Sequence, residues 1–304
     1  MSSAAPDLRP ILIAGPTASG KSGLALRLAE TMPAVILNAD ALQVYDGWRV
    51  LTARPSQADE ARAPHRLYGH VPVRETHSAG RWLREAGAEI AAARAQGRTP
   101  IVVGGTGLYF AALTEGLAEI PETPPEVRAA AEARLAELGL EGFAEELAGI
   151  DPAAHARLDL RNPRRVMRAW EAFQVAGRPL SELQAATPPP LAPLGEVRAL
   201  RLTPKRETLY AGIERRFEQM LAGGALEEAR AALDWQDASP SAMKAIGAGE
   251  LMAHLRGEMT LAQAREAAVQ ATRRYAKRQL TWMRNRLGAW PAAQSPQEGF
   301  ERLR

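Results

Sequence analysis

The segment GPTASGKS, residues 15–22, constrains the fold more than any other part of this 304-residue chain. It fits the pattern Gly-x-x-x-x-Gly-Lys-Ser/Thr, and it stands between the apolar run ILIA and a helix-like stretch that contains Leu24, Leu26 and Leu28. A strand, a glycine-rich turn and a helix in this order are typical of loops that bind phosphate through backbone N–H groups. The segment therefore predicts an α/β fold whose parallel sheet resembles that of the P-loop NTPases.

Other apolar runs extend this sheet, and one long region interrupts it. Three further strands are predicted, separated by helical stretches that would cover both faces, at 34–40, 99–105 and 196–202. Between residues 121 and 190 the pattern is helical throughout, and the tract TPPPLAP ends it as a rigid connector. We predict a core made of residues 1–120 and 191–304, with C-terminal helices, and a small all-helical insertion domain at 121–190.

Composition excludes several classes of protein. The chain has no cysteine, so disulfides and thiolate metal sites are excluded. The first ten residues, MSSAAPDLRP, lack a basic region followed by a long apolar run, and ILIAG is too short to span a membrane. The formal net charge is only +3, so the placement of charge matters more than its total. We expect a cytoplasmic protein without membrane segments, and a monomer is the default.

The phosphate loop provides the first candidate site residues. Its backbone would surround a phosphate group, Lys21 would neutralise the outer phosphate, and the Ser22 hydroxyl would bind Mg²⁺. The predicted diphosphate-binding residues are Gly15, Pro16, Thr17, Ala18, Ser19, Gly20, Lys21 and Ser22. The alternative is an ordinary glycine-rich turn, and the motif alone does not identify the ligand.

The strand ends that follow do not match a typical ATPase. The predicted strand at 99–105 ends in two glycines rather than in a metal-binding acid. Asp40 ends the preceding strand, at the sheet edge where ligands bind in open α/β folds, and it could bind Mg²⁺ through water or accept a proton. Thr106 lies just beyond the glycine pair, where flexible backbone suits close approach to a phosphate or a base. The alternatives are a helix N-cap for Asp40 and a tight turn around Thr106.

Arginine-rich segments indicate a polyanionic partner. One such cluster is Arg161, Arg164, Arg165 and Arg168, and the other is Arg273, Arg274, Lys277, Arg278, Arg284 and Arg286, interleaved with Tyr275, Trp282 and Trp290. Cations with interleaved aromatic residues suit RNA, although solvated helix faces are the alternative for either cluster. Arg215 and Arg216 are adjacent on a predicted helix, so one could turn inward to a phosphate while the other stays in solvent.

Together these segments resemble the tRNA dimethylallyltransferases. The matching stretches occur in the same order over nearly the whole chain: GPTASGKS, NADALQVYDG, APHRLYGHV, PIVVGGTGLYFAALTEGL, NPRRVMRAWE, TLYAGIERRFEQML and ATRRYAKRQLTWMRN. The resemblance implies a prenyltransferase that moves a dimethylallyl group from dimethylallyl diphosphate to the exocyclic amine of the adenosine 3′-adjacent to the anticodon, releasing diphosphate. It implies that the phosphate loop holds this diphosphate with Mg²⁺, and that the insertion contacts the anticodon stem-loop.

The resemblance also assigns roles to individual positions. It implies that Asp40 is the general base and that Lys21, Thr106 and Arg216 complete the catalytic set. The residues implied to contact tRNA are Asp40, Ala41, Leu42, Gln43, Thr106, Arg128, Arg164, Arg165, Val166, Met167, Arg168, Lys244 and Gly247. The chain departs from the family at Ala248 and Gly249, where an aromatic and a basic residue are usual.

Two other functions compete with this interpretation. A small-molecule kinase would use the same loop for ATP and Asp40 as the base for a hydroxyl group, but it gives the arginine-rich segments no role. A non-enzymatic RNA-binding module would need none of the residues Lys21, Ser22 and Asp40, so their presence argues against this alternative.

Overall fold

The computed structural model describes residues 7–304, which form two compact units. One unit contains the described residues up to Glu115 together with Leu191–Arg304, and the other is Gly116–Pro190. The second unit is thus an insertion in the chain of the first.

The larger unit is built on one six-stranded, all-parallel sheet. The strand order is β3-β2-β4-β1-β5-β6. The strands are β1 (Ile11–Ala14), β2 (Ala34–Asn38), β3 (His65–Arg66), β4 (Thr99–Gly104), β5 (Arg198–Leu202) and β6 (Ala292–Ala293). The parallel α/β architecture predicted from the sequence is confirmed, whereas β3 and β6, with two residues each, were not predicted.

The structure contains thirteen α-helices within residues 7–304. In chain order they are α1 (Lys21–Ala29), α2 (Gln57–Arg62), α3 (Ala79–Ala95), α4 (Gly107–Glu115), α5 (Pro125–Ile150), α6 (Pro152–Arg157), α7 (Pro163–Ala176), α8 (Leu180–Ala185), α9 (Arg206–Ala222), α10 (Ala225–Ala232), α11 (Ala248–Leu255), α12 (Leu261–Arg286) and α13 (Pro296–Leu303). Helices α5 to α8 belong to the smaller unit, and the described part of that unit contains no strand.

Alternation along β1 places apolar side chains on both faces of the sheet. Ile11 and Ile13 pack with α1 and α13, whereas Leu12 lies on the other face with Trp82 of α3 and Phe110 of α4. Both faces are therefore covered by helices, as a parallel sheet requires. A third apolar cluster joins α9 to α12.

The smaller unit has an apolar core of its own, to which α5, α7 and α8 contribute. Phe143 is fully buried, and the Trp170 indole donates from Nε1 to Glu146 at 2.9 Å. Helix α5 is interrupted at Gly139, whose φ of 67° is left-handed. None of the helices within residues 7–304 combines the length and the apolar character needed to cross a bilayer.

Candidate active site

The loop between β1 and α1 has the backbone of an anion-binding turn. Ala18 and Gly20 both have left-handed backbone angles, with φ of 60° and 81°, and such residues turn successive N–H groups toward one point. The Ser19 hydroxyl is buried and has no hydrogen-bond partner within residues 7–304. Because buried polar atoms are normally satisfied, this hydroxyl is suited to a ligand.

Two cations lie beside this loop. Lys21 donates to the Pro16 carbonyl at 3.2 Å, and Arg216 of α9 donates to the Thr17 hydroxyl at 2.9 Å and to the Thr52 carbonyl at 3.3 Å. Burial lowers the pKa of Lys21 to about 8, against a smaller opposing effect of Asp40, and it lowers the pKa of Arg216 as well. In the described chain neither cation has an acidic partner within 4 Å. Asp40 opposes the two cations only in part, so the site keeps a net positive charge that an anion would stabilise.

Asp40 is fixed at the end of β2 by its neighbours. Asn38 is fully buried, accepts the Asp40 N–H at 2.8 Å, and donates to the Asp40 carbonyl at 3.0 Å. One carboxylate oxygen of Asp40 accepts the Leu42 N–H at 3.0 Å, and the Thr106 hydroxyl accepts the Ala41 N–H at 2.9 Å. No helix begins after Asp40, so the alternative of a helix N-cap is wrong: its carboxylate starts a turn and keeps one oxygen for other partners.

Asp40 and Arg216 line the same pocket. Its other polar lining residues are Thr17, Thr52, Thr272 and Tyr275. Ala18 of the phosphate loop also lines it, and the apolar lining residues outside that loop are Leu42, Leu51, Ile213, Phe217, Met220 and Ile246. One cavity thus combines a cationic, polar part beside the phosphate loop with an apolar part made by α9 and the segments around it.

The glycine pair at the end of β4 lies against other parts of the protein. A Cβ atom on Gly104 would collide with the Ala39 carbonyl, and one on Gly105 would collide with the Gln279 side chain. Gly107 likewise lies against the Trp282 ring. These packing contacts explain the glycines and agree with the alternative of a tight turn; close approach of a phosphate or a base at Thr106 stays a prediction.

Several predicted site residues lie away from the pocket, or their polar groups are already hydrogen-bonded to other parts of the protein. Ser22 is exposed at the start of α1, and Gln43 donates its side-chain amide to the Thr52 and Ala53 carbonyls. Gly247 is buried against the Phe217 ring, and its φ of 95° is left-handed. The turn before α11 therefore requires glycine at this position. Lys244 is exposed, and Ala41 lies in the turn that follows Asp40. Leu42, in the same turn, does line the pocket.

The predicted tRNA contacts of the smaller unit fall into two groups. Arg164 and Arg165 are exposed on the first turn of α7. Arg128 and Arg168 lie 3.9 and 3.8 Å from the carboxylate of the buried Glu171, which partly neutralises them. Val166 is fully buried and Met167 is partly buried against the same core, so the Val166 side chain has a structural role; contact of these two residues with tRNA stays a prediction.

Some residues of the second arginine-rich cluster, at 273–286, have structural roles. All six of its cations lie on α12, as predicted, but Arg273 pairs with Glu214 and Arg286 with Glu115. The aromatic residues do not form an exposed stacking surface. Trp290 is buried against Phe110 and Trp282 covers Gly107, so the interpretation of Trp290 as a base-stacking residue is corrected. Tyr275 lines the pocket, and its contact with a base stays a prediction.

Two residues that position the site were missed by the sequence reasoning. The buried Gln279 of α12 accepts the Thr17 N–H at 2.9 Å and donates to the Gly105 carbonyl at 2.9 Å, which joins the phosphate loop to the turn after β4. Asn38 holds Asp40, and its place in the same short NAD stretch was the available signal. Gln279 gave no local signal, because it lies 262 positions from Thr17.

Comparison with known proteins agrees with this geometry. The sequence profile of the IPP transferase family matches residues 43–286. A tRNA dimethylallyltransferase of Cereibacter sphaeroides is 59% identical over 96% of this chain and 90% of its own length, and one of Dinoroseobacter shibae is 57% identical over 93% of each.

Solved structures extend the similarity to the fold. The tRNA isopentenylpyrophosphate transferase of Bacillus halodurans superimposes with a TM-score of 0.65 at 31% identity, covering 94% of this chain and 89% of that protein. A eukaryotic dimethylallyltransferase acting on tRNA gives a TM-score of 0.79 at 26% identity, covering 93% and 72%. The profile match spans most of the chain and the curated relatives are more than half identical, so this chain belongs to the IPP transferase family.

Proposed function

We propose that this protein transfers a dimethylallyl group from dimethylallyl diphosphate to the exocyclic amine of the adenosine 3′-adjacent to the anticodon of tRNA. The observation that carries the proposal is the composition of the pocket. A carboxylate, a cation and the phosphate loop occupy one part of it, and six apolar side chains line the rest. A charged diphosphate joined to a short hydrocarbon chain is complementary to such a cavity.

The charged part of the pocket suits the leaving group. As the bond between the allylic carbon and the diphosphate oxygen breaks, negative charge grows on the diphosphate. Lys21, Arg216 and the N–H groups of the loop would stabilise that charge, and the free Ser19 hydroxyl would add a donor. Because the two cations have no acidic partner within 4 Å in the described residues, no ion pair has to break first.

Oxygen donors near the loop suit Mg²⁺. Hard divalent cations prefer hydroxyl, carboxylate and phosphate oxygens, and the exposed Ser22 hydroxyl at the start of α1 is such a donor. Ser22 would hold the ion together with diphosphate oxygens. The ion would supply further charge for the departing diphosphate.

Asp40 is the group that would take the proton. The amine nitrogen forms a bond to the allylic carbon and must lose one proton, and a carboxylate fixed in the same pocket can accept it. Asn38 and Thr106 would act as positioning residues, since the first holds the backbone of Asp40 and the second holds that of Ala41. The apolar residues Leu51, Phe217 and Met220 would surround the dimethylallyl chain.

Recognition of tRNA would use the smaller unit. Arg164 and Arg165 are exposed and have no acidic partner within 4 Å among residues 7–304, so their full charge is available to RNA phosphates. Arg128 and Arg168 would contribute less, because each shares its charge with Glu171. Lys244 and the exposed cations of α12 that have no acidic partner in the described structure, Arg274, Lys277, Arg278 and Arg284, would add further contacts.

A transfer assay tests this function directly. The purified protein is incubated with Mg²⁺, unmodified tRNA and labelled dimethylallyl diphosphate, with ATP absent. Label in the tRNA is the expected result, and label confined to the nucleotide beside the anticodon supports the stated position. Absence of transfer, together with ATP-dependent phosphorylation of a small molecule, would refute the proposal.

The kinase alternative is not favoured. Strand β4 ends at Gly104 and is followed by Gly105 rather than by an acid that could hold the metal of a nucleotide. The curated relatives carry the name tRNA dimethylallyltransferase. The same names argue against a non-enzymatic RNA-binding module. A cytoplasmic location and a monomeric state remain predictions.

A further inference from the structure

A second cluster of titratable side chains lies outside the pocket, beside α3. His70 follows β3, His77 comes directly before Ser78, the N-cap of α3, and Glu85 lies in that helix. The Nε2 atoms of both histidines lie 3.0 Å from the same carboxylate oxygen of Glu85. All three donor atoms fall within 4.8 Å of one another, and none of these residues lines the pocket.

The donor set suits a borderline transition metal. Two imidazole nitrogens and one carboxylate oxygen are a common three-residue set for Zn²⁺, with water in the remaining position. Ligands of a tetrahedral zinc ion lie about 3.3 Å apart, which follows from bonds of about 2.0–2.1 Å. The two separations of 3.0 Å here would therefore need to widen by only a few tenths of an ångström.

The groups around the cluster hold its ligands in orientations that suit a metal. The Tyr109 hydroxyl lies 3.3 Å from Nδ1 of His77, so it can fix the tautomer that leaves a lone pair on Nε2. Its ring stacks on Trp82 with centroids 4.3 Å apart, which keeps the hydroxyl in place. Arg81 donates to the other carboxylate oxygen of Glu85 at 2.9 Å and therefore leaves the shared oxygen to the histidines.

The surroundings of the cluster restrict its ligands. The His77 side chain is only 1% exposed. The nearby positive charge of Arg81 is shared with Glu75, whose carboxylate lies 2.7 Å from it.

We propose that His70, His77 and Glu85 form a binding site for one Zn²⁺-like divalent ion, separate from the phosphate loop. His70 and Glu85 are 29% and 25% exposed, which leaves an open side for a water ligand and for entry of the ion. A bound ion would tie the segment between β3 and α3 to α3 itself. The alternative is a metal-free network in which Glu85 accepts an N–H from each histidine.

Metal binding by untagged protein tests the site. The protein is treated with a chelator and titrated with Zn²⁺ by calorimetry, and Co²⁺ replaces Zn²⁺ for absorption spectroscopy. We expect one ion per chain and the visible absorption bands of Co²⁺ with nitrogen and oxygen ligands in tetrahedral or five-coordinate geometry. Mg²⁺ should not compete, because it takes oxygen ligands.

Variants separate the site from adventitious binding. His70→Gln and Glu85→Gln should each weaken Zn²⁺ binding by more than about a hundredfold, and Tyr109→Phe by about tenfold, the scale of a lost supporting group. His155→Gln, in α6, is the matched control and should bind as the wild type does. His70 is the most exposed ligand, so its variant keeps the test valid if His77→Gln fails to fold. Absence of stoichiometric binding, or equal binding by wild type and His70→Gln, would overturn the proposal.

Discussion

Replacing Lys21 with methionine should stabilise the protein when no ligand is bound. The pKa of Lys21 falls from 10.5 to about 8 because burial disfavours its charge. Each pKa unit corresponds to about 1.4 kcal/mol, so the buried charge costs about 3 kcal/mol at neutral pH as an upper bound. Lys21 keeps partial solvent access and a hydrogen bond to Pro16, which methionine loses, so we expect a net gain of about 1–2 kcal/mol.

The assay is thermal unfolding with and without inorganic pyrophosphate. Lys21→Met should unfold a few degrees above the wild type without ligand. Pyrophosphate at a hundred times its Kd should stabilise the wild type by about 2.7 kcal/mol, and the variant should lose most of that gain. Lys205→Met, at an exposed position before α9, is the control and should change neither value.

The pH dependence gives an independent test of the same charge. Between pH 8 and 10.5 the unfolded chain keeps a proton that the folded chain has released, so this group adds stability as pH rises through that window. Below pH 8 Lys21 is protonated in both the folded and the unfolded chain, so burial of its charge destabilises the folded protein by the full amount. The stability gap between variant and wild type should therefore shrink from pH 8 toward 10.5. A variant less stable than the wild type at pH 7, or a gap independent of pH, would refute the reasoning.

Three further substitutions test the assigned roles. Asp40→Ala should lower turnover at least about a hundredfold, the scale of a lost general base, while tRNA affinity measured by filter binding stays near the wild-type value. Arg165→Ala should weaken tRNA binding and reduce the slope of log K against log salt by about one, with dimethylallyl diphosphate affinity unchanged. Gln279→Leu should raise the KM for dimethylallyl diphosphate about tenfold, because the Thr17 N–H and the Gly105 carbonyl lose their partner.

Each of these has its own control and its own refutation. Turnover of Asp40→Ala within tenfold of the wild type would remove Asp40 as the base. Arg178→Ala, an exposed arginine of the same unit that pairs with Glu182, should leave the salt slope unchanged. If Arg165→Ala instead weakens the binding of dimethylallyl diphosphate, the proposed role of the insertion in binding tRNA is wrong. If the KM of Gln279→Leu stays within about twofold of the wild-type value, these hydrogen bonds do not position the loop.

The phosphate loop and the main strands were predictable because their signals are local. Residues 11–22 contain the apolar strand, the glycines and the lysine in one continuous stretch, and the buried strands β2 and β4 are apolar runs bounded by turns. Strands β3 and β6 have two residues each, which is too short for any periodicity to show. Each pairs with a longer neighbouring strand, β3 with β2 and β6 with β5, and that pairing leaves no signal in the local sequence.

The lining of the pocket could not be predicted because distant segments supply it. Leu51 comes from the segment after β2, Phe217 from α9 and Tyr275 from α12. Nothing in the sequence around each of these residues distinguishes it from the other apolar or aromatic residues of its segment. Trp290 was misjudged for the same reason: beside a row of arginines it suggested base stacking, but its side chain is needed to cover Phe110. Which face of a helix is buried depends on its packing partners, and those are not adjacent in sequence.

The position of Gln279 shows that the loop motif alone does not build the site. The backbone N–H of Thr17 donates to Gln279, while the Thr17 hydroxyl accepts from Arg216, so α12 and α9 hold this loop residue from two sides. The same α12 presents the exposed Lys277 and Arg278 immediately before Gln279. A chain cut before α12 would keep the whole motif at 15–22, yet it would lose the acceptor for Thr17 and the ring of Trp282 that covers Gly107. Preorganisation of the phosphate loop therefore depends on the helix that also carries the cations of residues 273–286.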